Sequence, residues 1–125
     1  MKSVEDLLTD LIDEMRRAAE DPGVDAVHDL RVSVRRATEG IRLFAPNAKK
    51  LRKEIKAIRE HAAAVRDRDV TRQLLRRHRL PVTDPACVYL QGQRDLAALQ
   101  LGEFLKAQLE QDRPARWQRW IEAAK

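Results

Sequence analysis

His28 is followed at +3, +7 and +14 by Arg31, Arg35 and Arg42, with Arg36 beside the second of them. On an α-helix His28, Arg31, Arg35, Glu39 and Arg42 fall within about 80° of arc, which makes one ladder along a helix edge. A guanidinium is never uncharged, and its planar fork fits two phosphate oxygens. The histidine adds a switchable donor. A second set, Lys49, Arg52, Lys53, Lys56 and Arg59, lies on the next helical stretch. If the two helices pack side by side, their basic faces line one groove. Such a groove suits a linear polyanion better than a point ligand. Glu39 sits inside the first ladder, where it either weakens the stripe or pins an arginine at i−4 or i+3.

The charge layout agrees with that chemistry. The 125-residue chain carries a net charge of +5, but unevenly. Residues 1–27 hold three basic and eight acidic groups. Residues 28–82 hold sixteen basic and six acidic groups, and residues 83–125 hold six of each. A central block this basic predicts an anionic partner.

Other chemistries are poorly served. Cys87 is the lone cysteine, so neither an intrachain disulfide nor a cysteine-based zinc site can form. His28-Asp29 is a dipeptide of the kind found in the helical metal phosphohydrolases of the HD family. Those enzymes need further His and Asp ligands, whereas this chain has three histidines, none with an i, i+4 ligand partner. No catalytic residue, metal ligand or cofactor is therefore expected. The acidic start lacks an apolar signal region, and no apolar run approaches the ~20 residues of a membrane span. These features predict a cytoplasmic protein without a membrane partner.

The elements that position the ladders read as helices throughout, and the length fits one domain, residues 1–125. Residues 4–20 place Val4, Leu7, Leu8, Leu11, Ile12 and Met15 on one face, with Ser3 and Asp6 forming a capping box. Asp21 and Pro22 are read as cap and first turn of a second helix running to about Phe44. Its core stripe is Val27, Leu30, Val34, Ala37, Ile41 and Phe44. Gly40 within it implies close packing of a neighbouring helix, since glycine there costs about 1 kcal/mol against alanine. A third helix covers about 47–65, with Leu51, Ile55, Ile58, Ala62 and Val65 facing the core. Arg66-Asp67-Arg68-Asp69-Val70 reads as a polar corner, with an aspartate capping a fourth helix over about 70–79 that points Val70, Leu74 and Leu75 inward. After the break at Leu80–Pro85, a helix spans about 86–111 with an apolar face from Val88 to Leu109, and a short helix carries Trp117, Trp120 and Ile121. The expected fold is all-α, a bundle of about five to six helices.

The run His28-Asp29-Leu30-Arg31-Val32-Ser33-Val34-Arg35-Arg36, ending in Arg42-Leu43-Phe44, resembles the signature of the CHAD family, the conserved histidine α-helical domain. Val65-Arg66-Asp67-Arg68-Asp69-Val70 resembles that family's second signature, an Arg-Asp-x-Asp-Val corner. The resemblance covers nearly the whole chain but only the first half of the usual domain. It implies a helical bundle that binds inorganic polyphosphate through a basic surface. Carried over position by position, the phosphate contacts fall on His28, Arg31, Arg35, Arg36 and Arg42, and more loosely on Lys49, Arg52, Lys53, Lys56 and Arg59. It also implies a triphosphate-tunnel enzyme as a possible partner and, for some members, a location at polyphosphate granules.

Two other readings compete with polyphosphate. The charge would allow non-specific nucleic-acid binding. However, aromatic residues are only 4% of the chain, and Phe44, the one in the basic block, is read as pointing coreward, away from any stacked base. A protein-interaction module is the third reading. A homodimer is a candidate assembly, with Trp117, Trp120 and Ile121, near Leu101, Phe104 and Leu105, as either its patch or the monomer's own core.

Overall fold

A computed structural model describes residues 2–124. Five helices run in chain order: α1 (Val4–Glu20), α2 (Val24–Phe44), α3 (Lys49–Arg77), α4 (Pro85–Glu110) and α5 (Arg113–Ala124). There is no strand among the described residues. The expectation of an all-α bundle is met.

The first four helices pack in a ring. α1 lies against α2 and α4, α3 lies against α2 and α4, and the backbones of the diagonal pairs stay farther apart. Short connections between successive helices make this an up-down-up-down bundle. α5 packs on α1, α3 and α4. Leu8, Leu11, Met15, Leu30, Ile41, Leu51, Ile55, Ile58, Leu101 and Leu105 are fully buried. They recur at helical spacing on each element, so the bundle is held by one apolar stripe per helix.

The helix ends follow local chemistry. Ser3 Oγ accepts from the Asp6 N–H at 3.1 Å, and the Asp6 carboxylate accepts from the Ser3 N–H at 3.4 Å. The expected capping box is present. Asp21 does not open α2. Its N–H donates to the Arg17 carbonyl at 3.0 Å and closes α1, and α2 starts after Gly23 with no side-chain cap. Asp84 caps α4 by accepting from the Ala86 N–H at 2.9 Å, with Pro85 in the first turn.

The largest correction concerns Arg66–Val70. It is not a corner: α3 passes through it unbroken, and neither Asp67 nor Asp69 caps a helix. The register Leu51, Ile55, Ile58, Ala62, Val65 continues to Asp69, which is 2% exposed. No glycine or proline interrupts this stretch, and Arg94 from α4 supplies the buried carboxylate with a partner. Val70 and Leu74, expected to point inward, are about half exposed, as is Val88 on α4. From Val70 to Leu96 no residue is buried. The distal ends of α3 and α4 therefore project beyond the core as a bare helical hairpin.

Gly40 meets its expectation. A Cβ there would lie 2.7 Å from Leu7 Cδ1, so α1 and α2 approach where the side chain is missing. Trp117 and Ile121 are fully buried, as are Leu101 and Leu105. These four residues thus belong to the monomer's core, and Trp120 and Phe104 are partly buried against it. The indole Nε1 of Trp117 donates to Glu54 Oε2 at 2.6 Å, which ties α5 to α3. His61 stacks on Phe104 with ring centroids 4.0 Å apart.

Candidate functional site

α2 and α3 pack side by side, and their facing edges enclose a groove of about 350 Å³. His28, Arg31, Arg35, Glu39 and Arg42 line it from α2, with Val32, Val34 and Thr38 at its base, and Arg59 reaches in from α3. The 3-4-4-3 spacing brings these α2 residues to one edge because Val27, Leu30, Val34, Ala37 and Ile41 hold the adjacent edge in the core. Half of the ten residues expected to contact phosphate therefore share one groove: His28, Arg31, Arg35, Arg42 and Arg59.

The other five are elsewhere. Arg36 is exposed but rotated about 100° from Arg35, outside the groove. Lys49, Lys53 and Lys56 are exposed on the outer side of α3, and Lys56 approaches Glu60 at 4.0 Å. Arg52 is partly buried on the same edge of α3 as Arg59, two turns away, and its Nε is buried without a partner. The expectation that the α3 cations share one face is corrected: Arg52 and Arg59 take one edge and the lysines another.

The electrostatics separate the groove from the rest of the surface. Arg17 pairs with Asp29 at 2.5 Å, Arg94 with Asp69 at 3.0 Å, and Arg116 approaches Glu54 at 3.8 Å. The hydrogen bond that Arg17 donates to the Asp29 carboxylate raises its guanidinium pKa above the ordinary value. Asp29 is thereby occupied away from His28. In contrast, Arg31, Arg35, Arg42 and Arg59 form no ion pair among the described residues. Glu39 lies in the groove yet pins neither Arg35 nor Arg42, so it acts only as an opposing charge. The Thr38 hydroxyl donates to the Val34 carbonyl at 2.8 Å.

Phe44 is corrected as well. It is half exposed, not in the core, but it borders Lys2–Glu5 and Ile121, far round α2 from the arginines. No Phe, Tyr or Trp lines the groove. No group of three or more His, Cys, Asp or Glu residues that could hold a metal occurs among the described residues.

The Arg66–Val70 stretch has a structural role. Asp69 takes the Nε–H of Arg94, whose terminal nitrogen also donates to the Pro22 carbonyl at 2.7 Å. Arg72 adds a longer contact to Asp69 at 3.6 Å. These bonds join α3, α4 and the α1–α2 turn, and the turn leads directly into the ladder helix. Sequence reasoning missed Arg94. Its signal was the buried register of Asp69, which demands a cation from another element.

A helical bundle with an arginine-lined edge and these two motifs defines the class, and the CHAD domain matches residues 3–125. The chain belongs to the CHAD family. No curated protein and no solved structure matches it.

Proposed function

We propose that this chain binds inorganic polyphosphate in the α2–α3 groove and does not catalyse its turnover. The observation that carries this reading is the set of four unpaired arginines beside His28 in one open groove. Unpaired guanidinium groups keep all their donors for an incoming anion. Arginine forks take phosphate oxygens two at a time. The ladder on α2 runs along the helix axis, so its arginines, about 6 and 10 Å apart in rise, meet different phosphates along one chain. Membership of the CHAD family is consistent with polyphosphate binding in general. A cytoplasmic setting, granule association and a triphosphate-tunnel enzyme as partner belong to the same reading. The absence of Phe, Tyr and Trp from the groove favours a bare phosphate chain over single-stranded nucleic acid, which relies on stacking.

The test is a calorimetric titration of the wild type and of an Arg31→Ala, Arg35→Ala double variant with polyphosphate, DNA and pyrophosphate. Polyphosphate is expected to bind tightest, and each arginine to contribute about 1–3 kcal/mol. A wild-type affinity in the double variant, or tighter binding of DNA, would overturn the assignment. Polyphosphate length after prolonged incubation should be unchanged.

A further inference from the structure

α4 has two apolar faces, and the bundle uses only one. Ala97, Ala98, Leu101 and Leu105 are buried against α1 and α3. On the opposite side Pro85, Tyr89, Gly92, Leu96 and Leu99 repeat at 4, 3, 4, 3, with Val88 beside them. That is the seam spacing of packed helices. Tyr89 is 69% exposed, Val88 59%, Leu99 58% and Leu96 50%. These positions include no charged residue, on a chain whose residues are 36% charged, and the exposed carboxylates of Asp95 and Glu103 bound them at the edge and the end.

Gly92 is the telling member. Glycine destabilises a mid-helix position relative to alanine. At Gly40 the neighbouring helix explains the choice. At Gly92 a Cβ would meet nothing within 4 Å, so no contact inside the chain requires glycine. A missing side chain on an exposed seam allows another helix to approach closely.

We propose that the outer face of α4 is the contact surface for a second copy of this chain, in an antiparallel, two-fold pair. In the register that seats Leu96 of each copy on Gly92 of the other, Tyr89 meets Leu99 across the axis. The large residues then face small or apolar ones, and the patch is self-complementary, as an isologous contact must be. The charge argument selects the same face. Two copies of a chain with net charge +5 repel, and an uncharged seam lets them meet with the α2–α3 grooves facing away. A seam of this length covers on the order of 400 Å² per copy, about half the usual share of a stable interface, so the pair is weak and concentration-dependent. The contact is independent of any polyanion.

Sedimentation equilibrium without polyanion, from about 1 µM to about 1 mM, tests it, because interfaces of this size class associate weakly. The wild type should pass from monomer to dimer in that range. Leu96→Glu should shift the midpoint at least tenfold upward while its thermal melting stays that of the wild-type monomer. Gly92→Ala should melt no lower than wild type yet also dimerise less well. A wild type monomeric throughout, or a Leu96→Glu variant that dimerises normally, would overturn the proposal. So would a monomeric wild type that co-sediments with phosphatidylserine vesicles through Leu96, which would assign the face to lipid.

Discussion

Asp69 Oδ1 accepts the Nε–H of Arg94 at 3.0 Å inside the bundle, although 25 residues separate the two in the chain. Both are largely buried, and Arg94 also holds the Pro22 carbonyl just before the ladder helix. The ion pair therefore connects the chain's second motif to its first through a third helix. Removing one partner of a buried pair leaves the other charge uncompensated, at a cost of about 3–5 kcal/mol. Asp69→Ala is expected to lose that much stability in urea denaturation. Asp69→Asn, which keeps an acceptor for Arg94, should lose less. Polyphosphate affinity of the folded fraction should be unchanged in both.

Arg59 and Lys53 lie on the same helix but on different edges. Arg59 lines the groove, whereas Lys53 is exposed outside it. Arg59→Ala should weaken polyphosphate binding by about 1–3 kcal/mol, as expected when a charged hydrogen bond is left unmade. Lys53→Ala should cost under about 1 kcal/mol, as an exposed charge does. Parallel calorimetric titrations separate them, and equal losses would remove the special place of Arg59.

Glu39 is an unpaired carboxylate among four arginines. It repels any anion that enters. Glu39→Gln keeps the shape and removes the charge, so binding should strengthen by about 1 kcal/mol, the scale of one charge pair at contact in water. A fluorescence titration at low salt would register this as a roughly fivefold tighter dissociation constant.

The first motif was legible in the sequence because helical periodicity alone places His28, Arg31, Arg35 and Arg42 on one edge. The same periodicity excludes Arg36 and divides Arg52 and Arg59 from the three lysines, a distinction that grouping by charge blurred. The core stripes of α1, α2 and early α3 were legible for the same reason. Asp69 was misread because two aspartates in a polar run look like caps. Only the position of Arg94, which depends on how α4 packs against α3, shows that the carboxylate is buried. Exposure of Phe44, Val70 and Leu74 was also illegible, since apolar type does not reveal where a helix outruns its neighbours.

Binding should fall steeply with salt. Neutralised phosphates release counterions, so log affinity declines linearly with log salt, as it does for nucleic acids. The slope should become less steep in the Arg31→Ala, Arg35→Ala double variant. A slope identical to wild type would mean that those arginines contact no phosphate.

The hairpin from Val70 to Leu96 has a kinetic consequence. Local opening costs little where few apolar contacts must be broken. Apart from Arg94 near its base, no side chain anchors this segment in the core, whereas the ladder on α2 is backed by Leu30, Val34 and Ile41. Its amides should therefore exchange with solvent through sub-global fraying, long before those of α2. The helix end at Arg76, Arg77 and Arg79 offers trypsin three adjacent sites on that fraying segment. Cleavage there would nick the chain without unravelling the four-helix core, so the tip can be lost or remodelled while the arginine groove keeps its shape.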